Sequence, residues 1–499
     1  MRARAISLLR GHLPASDGIS SRDNRANRAL RPLEWVTLAH TGILVLWTTW
    51  GFGGAAESMW PYFTWWGAFG ALITLTAVQD KEAWHAGWMR PLVWGWPILA
   101  FNLLTLAAAL NPSFKEMNLG GEAVLAHTGG RAWWPTSARP QLAIPSLLLF
   151  DALWITCFNL ALILRHRRAV RGFVIFLVLN GFALSVFGTA QKLAHASGIY
   201  FGAMPTRQPY FFASFVYHNH WGAFMLLTIA AAIGLVWHHA RRHSARNFFH
   251  SPAFGGLVAI FFLAATVPLS GSRSCTLALL VLAAGAMMHA IAAVVRVRRY
   301  RHESAAPPIV AAVVALLLAA GGVWFVARES ITLRTTLTRQ QVGTMVERGS
   351  IGARSVLYRD TWRMARDKLW FGWGTESYAH VFSRFYNTLT SPVDRLPVYY
   401  RDAHSDWLQS FAEHGLIGSA LLALAAIVPL GGFRPRHFAH PFPQYLLAGC
   451  VLVLLYAWIE FPFGNVSVIL TWWLCFFCAV HYARLQHREE LARREETIP

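Results

Sequence analysis

The feature that most constrains this chain is a succession of apolar runs of about twenty residues separated by short polar gaps. A helix needs about that length to cross a bilayer core of about 30 Å. Twelve such runs are legible, at 35–54, 60–78, 91–110, 144–164, 172–191, 219–237, 253–269, 275–295, 307–327, 404–431, 445–461 and 467–483. They predict an all-α, polytopic membrane protein with about 12 transmembrane helices. The longest polar gap, 328–403, becomes a large helical loop between spans 9 and 10.

Charge decides what the polar gaps are for. The chain carries 44 Lys and Arg against 24 Asp and Glu, a formal net charge of +20, yet only 14% of its residues are charged and 55% are hydrophobic. A soluble nucleic-acid binder reaches such a charge by being rich in Lys and Arg, so no nucleic-acid partner is expected. If the Arg-rich tail 1–34 is cytoplasmic, each even-numbered span returns the chain to the cytoplasm. The cytoplasmic segments then hold 26 of the basic residues, including RHRRAVR at 165–171 and RVRRYRH at 296–302. The other 18 lie outside, 12 of them in 328–403, and long loops escape the positive-inside rule. No Lys or Arg remains within a span, so the alternation is self-consistent, and both termini (1–34 and 484–499) are expected in the cytoplasm. The Arg-rich start is about 34 residues long with no small-residue cleavage site, so it reads as a tail and not as a secretory signal.

All five cysteines (Cys157, Cys275, Cys450, Cys475 and Cys478) fall in apolar runs. The C-x-x-C at 475–478 has no His or second Cys pair beside it, so packing is the expected role, and neither a metal nor a cofactor is expected.

The informative polar residues gather at the outer ends of the spans. A transporter tends instead to place them at mid-bilayer. Apart from Asp406 and Glu413 at the start of the tenth, the acidic exceptions within the spans are Asp151 and Glu460, and both are explained by snorkelling or by a bond to a neighbouring helix. Four outer stretches stand out. QKLAHASGIYFGAMPTRQPYFFASFVYHNH carries Arg207 and a His-Asn-His cluster ending at His220. SGSRS at 270–274 holds Arg273 in a tight turn, either snorkelling to headgroups or, with small hydroxyl residues around it, open to a phosphate. The stretch 351–369 reads as an amphipathic surface helix, with Leu357, Tyr358, Trp362 and Ala365 as its apolar stripe, Arg359, Arg363 and Arg366 on a second face, and Arg354 in the first turn. Gly372 and Gly374 end it.

The fourth is the start of the tenth span. A helix from His404 to Pro429 is about 40 Å long at about 1.5 Å per residue, so its first two turns must stand in the aqueous interface. His404 is then exposed outside, where a helix N-terminus favours a neutral imidazole able to act as a general base. Asp406, Gln409 and Glu413 follow one stripe and are candidates to orient His404 or an acceptor, and Gly415 and Gly418 permit close packing.

Together these residues resemble the O-antigen ligase family, within the O-antigen ligase and polymerase superfamily. The carrying motif is H-S-x9-G-x-x-G, formed by His404, Ser405, Gly415 and Gly418. It is supported by the Ser272-Arg273 turn, by R-x-x-x-x-R-x-x-W from Arg354 to Trp362 followed by FGWG, and by FVYHNHWGAF at 215–224. The motifs cover 172–431, a catalytic region between N-terminal spans (35–171) and C-terminal spans (432–483). The resemblance implies a GT-C-like fold and a metal-independent transfer of a glycan from undecaprenyl pyrophosphate to an acceptor hydroxyl, on the periplasmic face of a bacterial inner membrane. The donor is then an undecaprenyl-pyrophosphate-linked glycan, the acceptor a lipid or glycan, and the surroundings membrane lipids. His404 takes the catalytic role, and Arg273 and Arg354 grip the pyrophosphate. Arg359, Arg207, His220, Asp406 and Glu413 are further substrate-binding candidates. Ser419 follows the G-x-x-G where the family commonly has Gly, Thr or Tyr, and FVYHNH is closer to members found with exopolysaccharide genes. A repeat-unit polymerase and a protein O-glycosylating ligase therefore stay open as alternatives, and a polysaccharide or lipid exporter is the reading from a different class.

Overall fold

The computed structural model describes residues 29–131, 133–206, 208, 210–241, 250–347, 353–386 and 400–495. The helices longer than ten residues are α1 (Pro32–Trp50), α2 (Trp60–Val78), α3 (Trp96–Ala109), α4 (Pro140–Ile163), α5 (Arg167–Leu193), α6 (His218–Ala240) and α7 (Pro252–Leu269). They continue with α8 (Arg273–Tyr300), α9 (Ala306–Glu347), α10 (Ala353–Asp367), α11 (Asp406–Ile427), α12 (Pro441–Tyr456) and α13 (Val466–Glu495). Pro32, Pro140, Pro252 and Pro441 each open a helix, where the missing N–H costs nothing.

Each of the twelve apolar runs falls on a helix. Among the described residues eight helices are long and apolar enough to cross a membrane, which makes this a polytopic, mostly helical membrane protein. The others fall short for visible reasons. Helices α1 and α2 are diluted by Trp, Thr and Gly, while α12 and the apolar part of α9, Ala306–Gly322, are shorter.

The departures from the expected spans matter for function. Helix α12 stops at Tyr456, five residues before the end of its apolar run, so 457–465 forms a loop that carries Glu460. Helix α9 runs on to Glu347, through the first part of the segment taken as loop. The all-α expectation also misses an antiparallel hairpin, β1 (Phe114–Leu119) with β2 (Glu122–His127), between α3 and α4. Its turn holds Gly120 and Gly121 at positive φ, and the Asn118 side chain accepts the Gly121 amide at 2.9 Å.

Two cores result. The larger lies within the bundle, around α6 and α13, the two most buried spans. A smaller one, made by Phe114, Ala138, Leu357, Met364, Ala365, Trp373, Tyr378, Val381, Phe382, Ala403 and Ala412, sits in a lobe at one end of the bundle. That core overturns the surface reading of α10. Leu357 and Ala365 are buried in the lobe, whereas Trp362, expected on the same apolar stripe, is exposed.

Helix α11 joins the lobe to the bundle, and it is broken. Gly415 has φ 63° and ψ −167°, a conformation open essentially to glycine alone. Its neighbours bond across the break to the F-G-W-G loop. Trp373 and Gly374 donate to the Ala412 and Glu413 carbonyls at 2.9 and 2.8 Å, while Leu416 and Ile417 donate to the Leu369 and Trp370 carbonyls at 2.8 and 3.1 Å. A Cβ at Gly415 would lie 2.5 Å from the Phe371 amide nitrogen, and one at Gly372 would lie 2.3 Å from the Glu413 carbonyl oxygen. The glycines expected to allow close packing and to end α10 thus let two backbones interleave. Gly415→Ala is expected to destabilise the protein by at least about 2 kcal/mol, through left-handed strain together with backbone collision. Thermal unfolding in detergent tests this, and a melting temperature equal to that of the parent would refute it.

Candidate functional site

The two most buried helices present their ends to one place. Helix α6 begins there at His218, capped by Tyr217, and the loop 457–465 lies just before α13. Glu460 stands in that loop with its side chain only 3% exposed. A buried carboxylate must find partners, and Glu460 draws them from three other parts of the chain. Arg354 pairs with its Oε1 and also donates to the Ile459 carbonyl at 3.0 Å. The Tyr217 hydroxyl donates to its Oε2 at 3.3 Å, and His404 Nδ1 lies 3.6 Å from the same oxygen.

His404 is set by its backbone. The helix expected to begin at His404 begins at Asp406, with Ser405 as N-cap accepting the Leu408 amide at 3.4 Å. His404 itself has φ 51°, uncommon for a residue with a side chain. Its carbonyl accepts the Tyr358 hydroxyl at 2.8 Å, and its ring meets Phe461 edge-on at 5.0 Å. With Nδ1 turned toward Glu460, Nε2 is the nitrogen left to take a proton. At this distance Nδ1 makes no hydrogen bond, so the carboxylate faces the ring as an ion-pair partner, on the side from which a carboxylate orients a base.

The stripe Asp406, Gln409 and Glu413 holds backbone instead of the histidine ring. Asp406 accepts the Phe463 amide at 2.8 Å, and its own amide bonds the Ala457 and Glu460 carbonyls at 2.9 and 3.2 Å. These three bonds fasten the start of α11 to the Glu460 loop. Gln409 accepts the Ala403 amide at 3.0 Å, and Glu413 accepts the Tyr378 and Glu376 amides at 2.9 and 3.3 Å.

The Ser272-Arg273 turn reaches the same carboxylate through a chain of hydrogen bonds. The Ser272 hydroxyl donates to Asn219 Oδ1 at 2.6 Å, Asn219 Nδ2 donates to the Tyr217 hydroxyl at 2.8 Å, and Tyr217 donates to Glu460. Arg273 is exposed at the first position of α8. His220 is buried, with Nε2 3.2 Å from the Phe461 carbonyl. Arg359 and Arg363 both lie against the buried Asp360, at 3.2 and 3.6 Å. Arg207 lies outside the described residues.

Electrostatically, burial pushes Glu460 toward the neutral form, but the His404 contact and the Arg354 guanidinium more than offset it and hold its pKa below the usual carboxylate value. Arg354 is held above the ordinary guanidinium value, because Glu460 outweighs the desolvation it suffers. Among the described residues no group of three or more His, Cys, Asp and Glu side chains is placed to hold a metal ion. The chemistry on offer is a general base held by a carboxylate, flanked by guanidiniums suited to an oxyanion.

Sequence reasoning reached His404, Arg354, Arg273 and the Tyr-His-Asn-His motif, but not Glu460 as the residue that connects them. The available signal was a carboxylate at the end of an otherwise apolar run, in a chain with few acids. Because its folded pKa lies below its unfolded value, Glu460 contributes stability that is present above about pH 4.5 and is lost as the pH falls below it. Glu460→Gln is therefore expected to lower the melting temperature at pH 7 and to flatten its fall between about pH 5 and pH 3. Melting curves across that range test this; an equally steep acid loss in the variant would count against it.

A family model of the O-antigen ligases matches residues 258–423. That span runs from α7 to α11 and includes Arg273, Arg354 and His404. No curated protein matches the chain.

Proposed function

With an O-antigen ligase domain over residues 258–423 as the premise, we propose that this protein is a membrane glycosyltransferase of ligase type. It transfers a glycan from undecaprenyl pyrophosphate to an acceptor hydroxyl, on a lipid A-core or similar lipid, at the periplasmic face of a bacterial inner membrane. The observation that carries the proposal is the convergence of Arg354 and His404 on buried Glu460, with the Ser272-Arg273 turn tied to the same carboxylate through Asn219 and Tyr217.

In this mechanism the acceptor hydroxyl approaches Nε2 of His404, which takes its proton as the oxygen attacks the anomeric carbon. Glu460 holds the Nδ1 proton and stabilises the imidazolium that forms. The glycosidic bond to the pyrophosphate breaks, and the negative charge growing on the leaving group is met by Arg273 and Arg354. Arg354 uses part of its fork on Glu460 and Ile459; a guanidinium has five donors, and the rest remain for phosphate oxygens. Asp406 acts as a positioning residue, through the bonds that fasten the start of α11 to the Glu460 loop. Arg359, Arg207, His220 and Glu413 are further candidates, for glycan contacts or for support of the lobe. Charge supports that side of the membrane: in the twelve-run reading, 26 basic residues fall in the segments assigned to the opposite face.

Transfer from a defined undecaprenyl-pyrophosphate-linked donor to a lipid A-core acceptor, with purified protein, is the decisive assay. His404→Ala and Arg354→Ala are each expected to lower it by at least about a hundredfold while the protein still inserts and folds. Full activity in His404→Ala would remove the general base, and an export phenotype that survives this substitution would favour a transporter. Arg273→Ala is expected to weaken donor binding; unchanged affinity would return Arg273 to the role of a headgroup anchor.

A further inference from the structure

At the end of the bundle opposite Glu460, the guanidiniums of Arg165, Arg484 and Arg488 all lie over Trp88, with 4.2, 5.5 and 3.8 Å from each Cζ to the ring centroid. The two ends are about 27 Å apart, since Arg484 follows Val466 by eighteen helical residues of α13. Arg90 completes the group: a Cβ at Gly87 would lie 3.3 Å from its Nε. Two separate segments, the turn between α4 and α5 and the last turns of α13, therefore place three guanidiniums on one indole, with Arg90 beside them.

Backbone carbonyls are the acceptors these guanidiniums have found. Arg484 donates to the Ala161, Gly87 and Trp88 carbonyls at 3.4, 3.1 and 3.0 Å, and Arg488 donates to the Gly87 and Ala86 carbonyls at 3.3 and 2.6 Å. Arg165 donates to Leu162 at 3.0 Å, while its Nε is buried with no hydrogen-bond partner. Carbonyls satisfy hydrogens but do not neutralise charge. The nearby carboxylates are Glu34 and Asp80, and both are engaged: Glu34 accepts the Arg165 and Arg31 amides at 2.7 and 2.9 Å, and Asp80 accepts the Ala83 amide at 2.9 Å and the Arg31 guanidinium at 3.4 Å. With Arg31 included, five guanidiniums share this neighbourhood with two carboxylates among the described residues.

We propose that the Trp88 cluster is a binding site for a phosphate-bearing anion, with Arg90, Arg165 and Arg488 as the contacting residues and Arg484 as the buried support. Indole stacking orders the guanidiniums before the ligand arrives, and planar forks suit phosphate oxygens. A phospholipid headgroup at the membrane boundary supplies that chemistry, as does free phosphate.

Thermal unfolding of the full-length protein in uncharged detergent separates the sources, with short-chain phosphatidylglycerol, phosphatidylcholine of the same chain length and inorganic phosphate as probes. Phosphatidylglycerol is expected to raise the melting temperature by about 3 °C, well beyond phosphatidylcholine. Arg488→Gln and the exposed-site variant Arg90→Gln should each lose most of that rise. Inorganic phosphate matching the rise, with the same loss in the variants, would support the site with free phosphate as its ligand. A rise that is absent in the parent, equal for the two lipids, or unchanged in Arg90→Gln would overturn the proposal.

Discussion

A carboxylate withdrawn from water next to a membrane is costly unless countercharge and donors reach it, and the candidate site is organised by how Glu460 meets that requirement. Its partners come from three other places in the chain: the cap of α6, the first turn of α10 and the residue before the α11 cap. Each brings a group with its own potential use. Arg354 arrives with donors to spare, His404 arrives with one nitrogen turned inward and one outward, and Tyr217 brings the bonded chain that ends at the Ser272-Arg273 turn. Satisfying one buried charge therefore also assembles a base and cations in one place.

The broken helix α11 makes this assembly rigid. A continuous helix from His404 onward would leave the F-G-W-G loop without backbone partners. Gly415 instead opens the ladder, the loop 369–374 fills the opening, and Ala138 donates to the Trp373 carbonyl at 2.8 Å from a third segment. The lobe that carries α10 is held to the bundle by backbone bonds, which explains how Arg354, at the start of that helix, is aimed at Glu460. Asp406 finishes the connection by tying the start of α11 to the loop of Glu460.

Much of this was legible in the residues. Helical spans were readable because a bilayer imposes one length and one polarity on whatever crosses it, and each apolar run became a helix. His404, Ser405, Gly415 and Gly418 stood out by spacing, and the Ser272-Arg273 turn by a lone cation between two spans. The roles of several were hidden. Gly415 was legible as a small residue but not as a helix break, since the break depends on Trp370 and Phe371 approaching from forty residues away. The stripe Asp406, Gln409 and Glu413 is correct helical spacing, yet its acceptors were taken by amides brought in from other segments. Trp362, expected on the apolar stripe, is exposed while Met364 is buried, because the lobe core, absent from any local pattern, chose which face of α10 to bury.

By itself, then, the sequence determined a polytopic helical membrane protein with its cations sorted by position and a histidine-glycine motif at one helix entry. Those properties follow from local chemistry: hydropathy over about twenty residues, charge in the gaps, and residue types at fixed spacing. Only the tertiary structure decided that Glu460 is the meeting point, that α11 is split by another loop, and that Trp88 gathers guanidiniums at the far end. Each of these joins residues tens to hundreds of positions apart, and the pairing of a buried charge or an open backbone ladder is settled by whichever segment packing delivers to it.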